Sequence, residues 1–247
     1  MAEYTEKVTL PTMGLLDEAI PEEVTIRPIS TKEEKLIYGS NNEKALDAVI
    51  RNCVVEPSDL DIEAMTTVDK HFLLMKLRIL TYGTEYHAKY KCPECDAPAA
   101  EFKIDLDEFE VNYLPDDFQE PFEFELPVSG DIIGIKILRG KDITAVEKAS
   151  KKLQKKLPNY QGDPAYILRM AQYIQQINGE TLPSVKKQEY VESLHGRDSA
   201  YFWHKVNSIE IGYDTTVQAA CPNPRCGEDV EFSMPMTAEF FRPRFDD

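Results

Sequence analysis

Seven apolar side chains, Phe72, Leu73, Leu74, Met75, Leu77, Ile79 and Leu80, crowd one stretch of the chain that stops at Gly83. This run predicts a helix from about Val68 to Tyr82, ended by the glycine. Upstream, Ala45, Leu46, Val49, Ile50 and Cys53 recur on one face of a helix from about Asn42 to Cys53, which makes Cys53 a core residue. A strand from Val24 to Pro28 precedes another helix, whose start carries Thr31 and Glu34 at capping-box spacing. Residues 1–22 hold only a small apolar island, Met13, Leu15, Leu16 and Ile20, between Pro11 and Pro21. They read as an N-terminal arm, whose island either packs on its own domain, the commoner outcome, or docks extended on a neighbouring subunit.

Beyond Gly83 the pattern turns to alternation. Strands flank the cysteine pair at 92–95, and two more run from Phe122 to Leu126 and from Ile132 to Leu138 around a Ser129-Gly130-Asp131 turn. Helical periodicity returns over Ile143–Leu157, Asp163–Ile177, Ser184–Leu194 and Asp198–Ile209, the last with the single tryptophan, Trp203. The chain then reverts to β structure and runs through Phe240 and Phe241 to an Arg242-Pro243-Arg244 tail. The fold class is therefore α+β: a small antiparallel β unit with N-terminal helices and a helical insertion between two cysteine knuckles. The segments are an arm (1–22), helices with the first knuckle (23–140), the insertion (141–210), and the second knuckle with its tail (211–247).

The knuckles are Cys92-Pro93-Glu94-Cys95 and Cys221-Pro222-Asn223-Pro224-Arg225-Cys226. Their surroundings repeat: Gly83 and Gly212 each precede the first cysteine of a pair by nine residues, and Glu101-Phe102 and Glu231-Phe232 follow. Two thiolates on a short turn can grip one ion, and zinc prefers soft sulfur ligands, so Cys92, Cys95, Cys221 and Cys226 are expected to hold a structural zinc. A disulfide in each pair, unrelated buried thiols or a redox motif are the alternatives; a redox motif needs one pair, and two occur in matching contexts. Residues 96–220 separate the pairs, so the metal would clamp the middle of the chain to its far part. Four sulfurs complete the shell, and none of His71, His87, His195 and His204 is needed.

A formal charge of -16 over 247 residues speaks against a nucleic-acid-binding ribbon, which needs basic residues to meet phosphates, and suits protein partners. The cluster Lys151, Lys152, Lys155 and Lys156 could receive an anionic patch, although such a cluster is usually a solvated helix face. The acidic stretch Asp105, Asp107, Glu108 and Glu110 needs no metal to explain it. The first residues lack a cationic region followed by an apolar one, and no run has the length of a membrane span. The chain is expected in the cytosol when made, where reducing conditions favour zinc over disulfides. Phosphate loops, nucleophile elbows and His-Glu-x-x-His are missing from the sequence, so no catalytic residue is assigned and the expectation is a non-enzyme.

The block Asp69-Lys70-His71-Phe72-Leu73-Leu74, Leu77-Arg78-Ile79-Leu80-Thr81-Tyr82-Gly83, Glu85-Tyr86 and Cys92-Pro93-Glu94-Cys95 resembles the T4-type baseplate protein family of contractile-tailed bacteriophages. Thr25-Ile26-Arg27-Pro28, Thr31-Lys32-Glu33-Glu34 and Ala45-Leu46-Asp47-Ala48-Val49-Ile50 fit the same pattern, so the resemblance covers about Val24 to Leu138. It implies a non-enzymatic morphogenesis protein similar to those of the baseplate hub, either a hub subunit or a hub assembly protein. Partners would be other baseplate and tail proteins, and the location the host cytoplasm during assembly and the virion tail if retained. The rival is a zinc-ribbon regulatory protein that binds nucleic acid or the transcription machinery.

Overall fold

The computed structural model describes residues 4–39, 43–95, 99–156, 162–221, 223–234 and 238–241. Asn42, Leu157, Pro222 and the Arg242-Pro243-Arg244 tail lie outside them. In chain order the elements are β1 (Glu6–Thr9), β2 (Glu23–Ile26), α1 (Thr31–Gly39), α2 (Glu43–Cys53), β3 (Val54–Glu56), α3 (Thr67–Tyr82), β4 (Glu85–Tyr90) and β5 (Ala100–Asp105). They continue with β6 (Val111–Asn112), β7 (Phe122–Glu125), β8 (Ile132–Ile135), α4 (Gly140–Lys156), α5 (Pro164–Tyr173), β9 (Ile174–Ile177), α6 (Ser184–Ser193), α7 (Gly196–Asn207), β10 (Gly212–Tyr213), β11 (Thr216–Ala220) and β12 (Asp229–Ser233). Every named strand pair is antiparallel, and the class is α+β as the pattern predicts.

The larger core forms around α3. Its apolar run places Phe72, Leu73, Leu74, Met75 and Leu77 in the interior against Ile26, Ile50, Cys53 and Met65. The far end of the chain closes the same core, with Phe232, Phe240 and Phe241 buried there. Thr66 caps the helix by accepting from the Asp69 amide at 3.1 Å, and Gly83, at φ 84°, ends it in a backbone region that side chains disfavour. Arg78, 2% exposed, sits inside this core without a carboxylate among its hydrogen-bond acceptors. It donates to the carbonyls of Phe240 at 3.0 Å, Gly83 at 2.5 Å and Glu85 at 2.7 Å. One guanidinium thus joins the end of α3, the start of the first hairpin and the end of the chain.

Residues 4–20 are a strap on this core. Strand β1 pairs with β2, and Leu10, Thr12 and Ile20 are buried while Leu15 stays exposed. Thr12 donates its amide at 3.1 Å and its hydroxyl at 2.7 Å to the buried Asp69, and the Leu16 carbonyl accepts from Arg139 at 2.7 Å. Of the two outcomes expected for the arm, packing on its own domain is the one seen here, because a segment too short for its own core has found the core of its own chain.

At α1 the capping pair sits one residue earlier than expected. Ser30 donates its amide to Glu33 at 3.0 Å and its hydroxyl at 2.5 Å, and Arg27 reaches the same carboxylate at 3.2 Å. Both frames satisfy the motif; burial of Glu33 against Arg27 selects this one.

A second core lies between the sheet β7-β8-β9 and helices α5, α6 and α7, filled by Phe124, Leu126, Ile133, Ile135, Met170, Ile174 and Phe202. Two expectations change here. The helix over Asp163–Ile177 ends at Tyr173, and Ile174–Ile177 is strand β9, paired with β8. The hairpin of β7 and β8, assigned from sequence to the segment ending at 140, packs with the helices that follow it. Asp198 at the start of α7 accepts from the amides of Val128 and Ser129 at 2.8 and 3.0 Å, which fixes the hairpin turn to the helix.

Candidate metal centre

Two hairpins carry the four cysteines. In the first, β4 pairs with β5 from Glu85↔Asp105 to Tyr90↔Ala100; in the second, β11 pairs with β12 from Thr216↔Ser233 to Ala220↔Asp229. The sequence repeat is a structural repeat. Gly83 and Gly212 take φ of 84° and 85°, and five residues past each, Ala88 lies opposite Phe102 and Val217 opposite Phe232. Each cysteine pair occupies the turn at the tip of its hairpin.

Backbone hydrogen bonds shape the second turn. Cys221 donates its amide to the Glu228 carbonyl at 2.9 Å, Cys226 to the Asn223 carbonyl at 2.9 Å, and the Asn223 side chain accepts from the Arg225 amide at 3.1 Å. Below the tips, Tyr90 of the first hairpin stacks on Phe232 of the second at 4.3 Å, nearly parallel, and Phe102 packs against the same ring. Sequence reasoning missed this aromatic floor. The signal lay in the repeated Glu-Phe steps, whose phenylalanines it used as marks of the repeat and not as contacts.

All four sulfurs lie within 4.8 Å of one another. Across the hairpins, Cys92 and Cys226 are 4.0 Å apart and Cys95 and Cys221 are 3.7 Å apart. A tetrahedral ion with metal–sulfur bonds of about 2.3 Å requires sulfur–sulfur edges of about 3.8 Å, so the donor set fits a metal ion. A disulfide requires about 2.0 Å, and all five cysteines are free thiols. At Cys221 the Asn223 amide favours the thiolate, but burial and the three neighbouring sulfurs prevail and push the thiol up to about 12. A bound cation reverses that balance, since its charge deprotonates coordinating thiols outright.

The remaining candidates fall outside the cluster. Cys53 is completely buried in the larger core, and burial pushes its thiol up to about 12. His87 uses both ring nitrogens on carboxylates, Glu85 at 2.9 Å and Glu101 at 3.0 Å. The lysine cluster is on α4. Among the described residues, the four thiols are the one group of three or more His, Cys, Asp or Glu residues whose ligand atoms converge in this way.

A family model described as T4 bacteriophage base plate protein matches residues 1–242. The chain belongs to that family. The match of this base plate protein spans both hairpins and both cores, and so extends beyond the Val24–Leu138 stretch that carries the resemblance in sequence. No curated protein and no solved structure matches the chain. Family membership supports a structural part in the phage base plate, with other base plate proteins as partners and the virion tail as the location. Among the described residues, no helix of this base plate protein is long and apolar enough to cross a membrane.

Proposed function

We propose that the protein is a component of the base plate hub, as a subunit or as a factor that assembles it, and that Cys92, Cys95, Cys221 and Cys226 hold a structural zinc that pins its two hairpins together. The convergence of four thiols at tetrahedral edge lengths is the observation that carries the metal reading. Thiolates select zinc over hard cations such as magnesium and calcium, and four of them leave no coordination position for water or substrate. The ion therefore holds the fold and performs no chemistry. The hub reading draws on what the resemblance to the T4-type baseplate family over about Val24 to Leu138 implies, and a non-enzymatic role agrees with the closed shell.

One experiment addresses both halves. Protein carrying an affinity tag is recovered from infected cells, its metal is quantified and its co-purifying proteins are identified. One zinc per chain together with hub proteins is the expected result. Absence of metal, with all four thiols titrating freely in the folded protein, would refute the zinc site. Recovery of tail proteins from outside the hub alone would refute the hub assignment and leave the metal reading standing.

A further inference from the structure

Helix α4 carries six of the chain's 28 lysines and arginines and only two acids, Asp142 and Glu147, on a chain whose net charge is -16. Lys141 pairs with Asp17 and Lys151 with Glu147. Lys148, Lys152, Lys155 and Lys156 are exposed and have no carboxylate partner among the described residues. At about 100° per residue, Lys148, Lys151, Lys152 and Lys155 fall within one stripe on the side of the helix away from the buried Val146, and Lys156 lies at its edge. The stripe from Lys148 to Lys156 is about 12 Å long.

Local stability does not account for this arrangement. Lys148 and Lys152, Lys151 and Lys155, and Lys152 and Lys156 are like-charge neighbours at i,i+4, which oppose the helix. Favourable placement near the helix C-terminus explains Lys155 and Lys156 but not the stripe upstream. An extended polyanion such as nucleic acid would run past 12 Å of lysine into the field of an acidic chain. An acidic protein surface ends where the contact ends. A second copy of this chain offers that chemistry: Asp107, Glu108 and Glu110, beyond β5, are exposed and have no cation partner in an ion pair among the described residues. We propose that the lysine face of α4 docks on this acidic run of a second copy, in a contact that gains strength from several weak charge pairs at once.

Charge reversal with recovery in trans tests this. Light scattering at a NaCl concentration of about 50 mM, and again at about 500 mM, reads association of the whole chain across a change in screening length. Wild-type protein is expected to self-associate at low salt and to lose about tenfold in affinity at high salt. A Lys148→Glu, Lys152→Glu, Lys155→Glu variant should be monomeric, as should an Asp107→Lys, Glu108→Lys, Glu110→Lys variant. Their mixture should associate, because each restores the charge that the other lost. Lys32→Glu with Lys35→Glu on α1 should leave association unchanged. Reversal on α4 turns the Lys151/Lys155 and Lys152/Lys156 neighbours into opposite-charge pairs and leaves only Lys148/Lys152 alike, so a thermal melt is expected to show the helix intact. A monomer under all conditions, equal loss with the α1 control, or no recovery on mixing would overturn the proposal.

Discussion

Arg78 and Phe240, 162 positions apart in sequence, meet inside the larger core: the guanidinium donates to the Phe240 carbonyl at 3.0 Å and lies 5.8 Å from the ring centroid. The same side chain serves Gly83 and Glu85, so three carbonyls depend on it. Truncating Arg78→Ala strands buried acceptors and opens a cavity, and is expected to cost about 3 to 5 kcal/mol in urea unfolding. Arg78→Lys keeps the charge but not the planar fork and should recover less than half of that. Equal midpoints for the two variants and the parent would contradict the pin.

Metal removal should separate the four knuckle cysteines from Cys53. Cys95→Ser or Cys221→Ser is expected to abolish stoichiometric zinc and to cost several kcal/mol, because binding free energy is folding free energy when the site joins distant segments. Cys53→Ser should retain the metal and cost about 1 to 3 kcal/mol, the scale of a buried hydroxyl without a partner. Metal analysis alongside thermal melts reads both.

The strap makes a prediction opposite to that of a dispensable arm. Deleting Met1–Ile20 removes β1, exposes the edge of β2 and takes Thr12 from Asp69, so a loss of cooperative folding is expected. Thr12→Val keeps the backbone and removes only the hydroxyl donor, at an expected cost of about 1 to 2 kcal/mol. An unchanged melting temperature for the deletion would show that residues 4–20 add nothing to the core.

Two buried carboxyls should tilt stability with pH in opposite senses. Burial opposes ionisation of Glu33, but Arg27 and Ser30 outweigh it and hold the carboxyl down at about 2, against 4.5 in the unfolded chain. Its stabilising contribution, on the order of 3 kcal/mol, is complete above pH 4.5 and is lost as the pH falls towards 2. At Asp69 burial prevails over the Thr12 and Thr66 hydrogen bonds and raises the carboxyl above 3.8. Folding then takes up a proton there, and the contribution is present below 3.8 and lost as pH rises through the raised value. Arg27→Ala should abolish the acid limb and Asp69→Asn the opposing one, read from denaturation midpoints across pH 2 to 7.

The parts of the fold that were legible are those in which one local pattern had a single reading. Helix α3 has an uninterrupted apolar run with a glycine stop, and the convergence of the four cysteines followed from two knuckles in matching contexts. Strand β9 was not legible because Ile167, Met170, Ile174 and Ile177 recur at helical spacing, and only the pairing of Ile177 with Ile133 decides for a strand. The hairpin of β7 and β8 shows alternation but not which core it joins. Arg78 had a signal, a lone cation within an apolar run ahead of Tyr82-Gly83, but its three acceptors come from segments that only the tertiary fold assembles.

The separation of the two knuckles has a consequence for synthesis. Cys95 leaves the ribosome 126 residues ahead of Cys221, an interval of about 6 to 25 s at ordinary elongation rates. During that time the first knuckle offers two sulfurs, and the core around α3 lacks Phe232, Phe240 and Phe241. Closure of the core and completion of the donor set therefore fall together, once the second knuckle and Phe240 and Phe241 have been made, and a chain released before that point has neither.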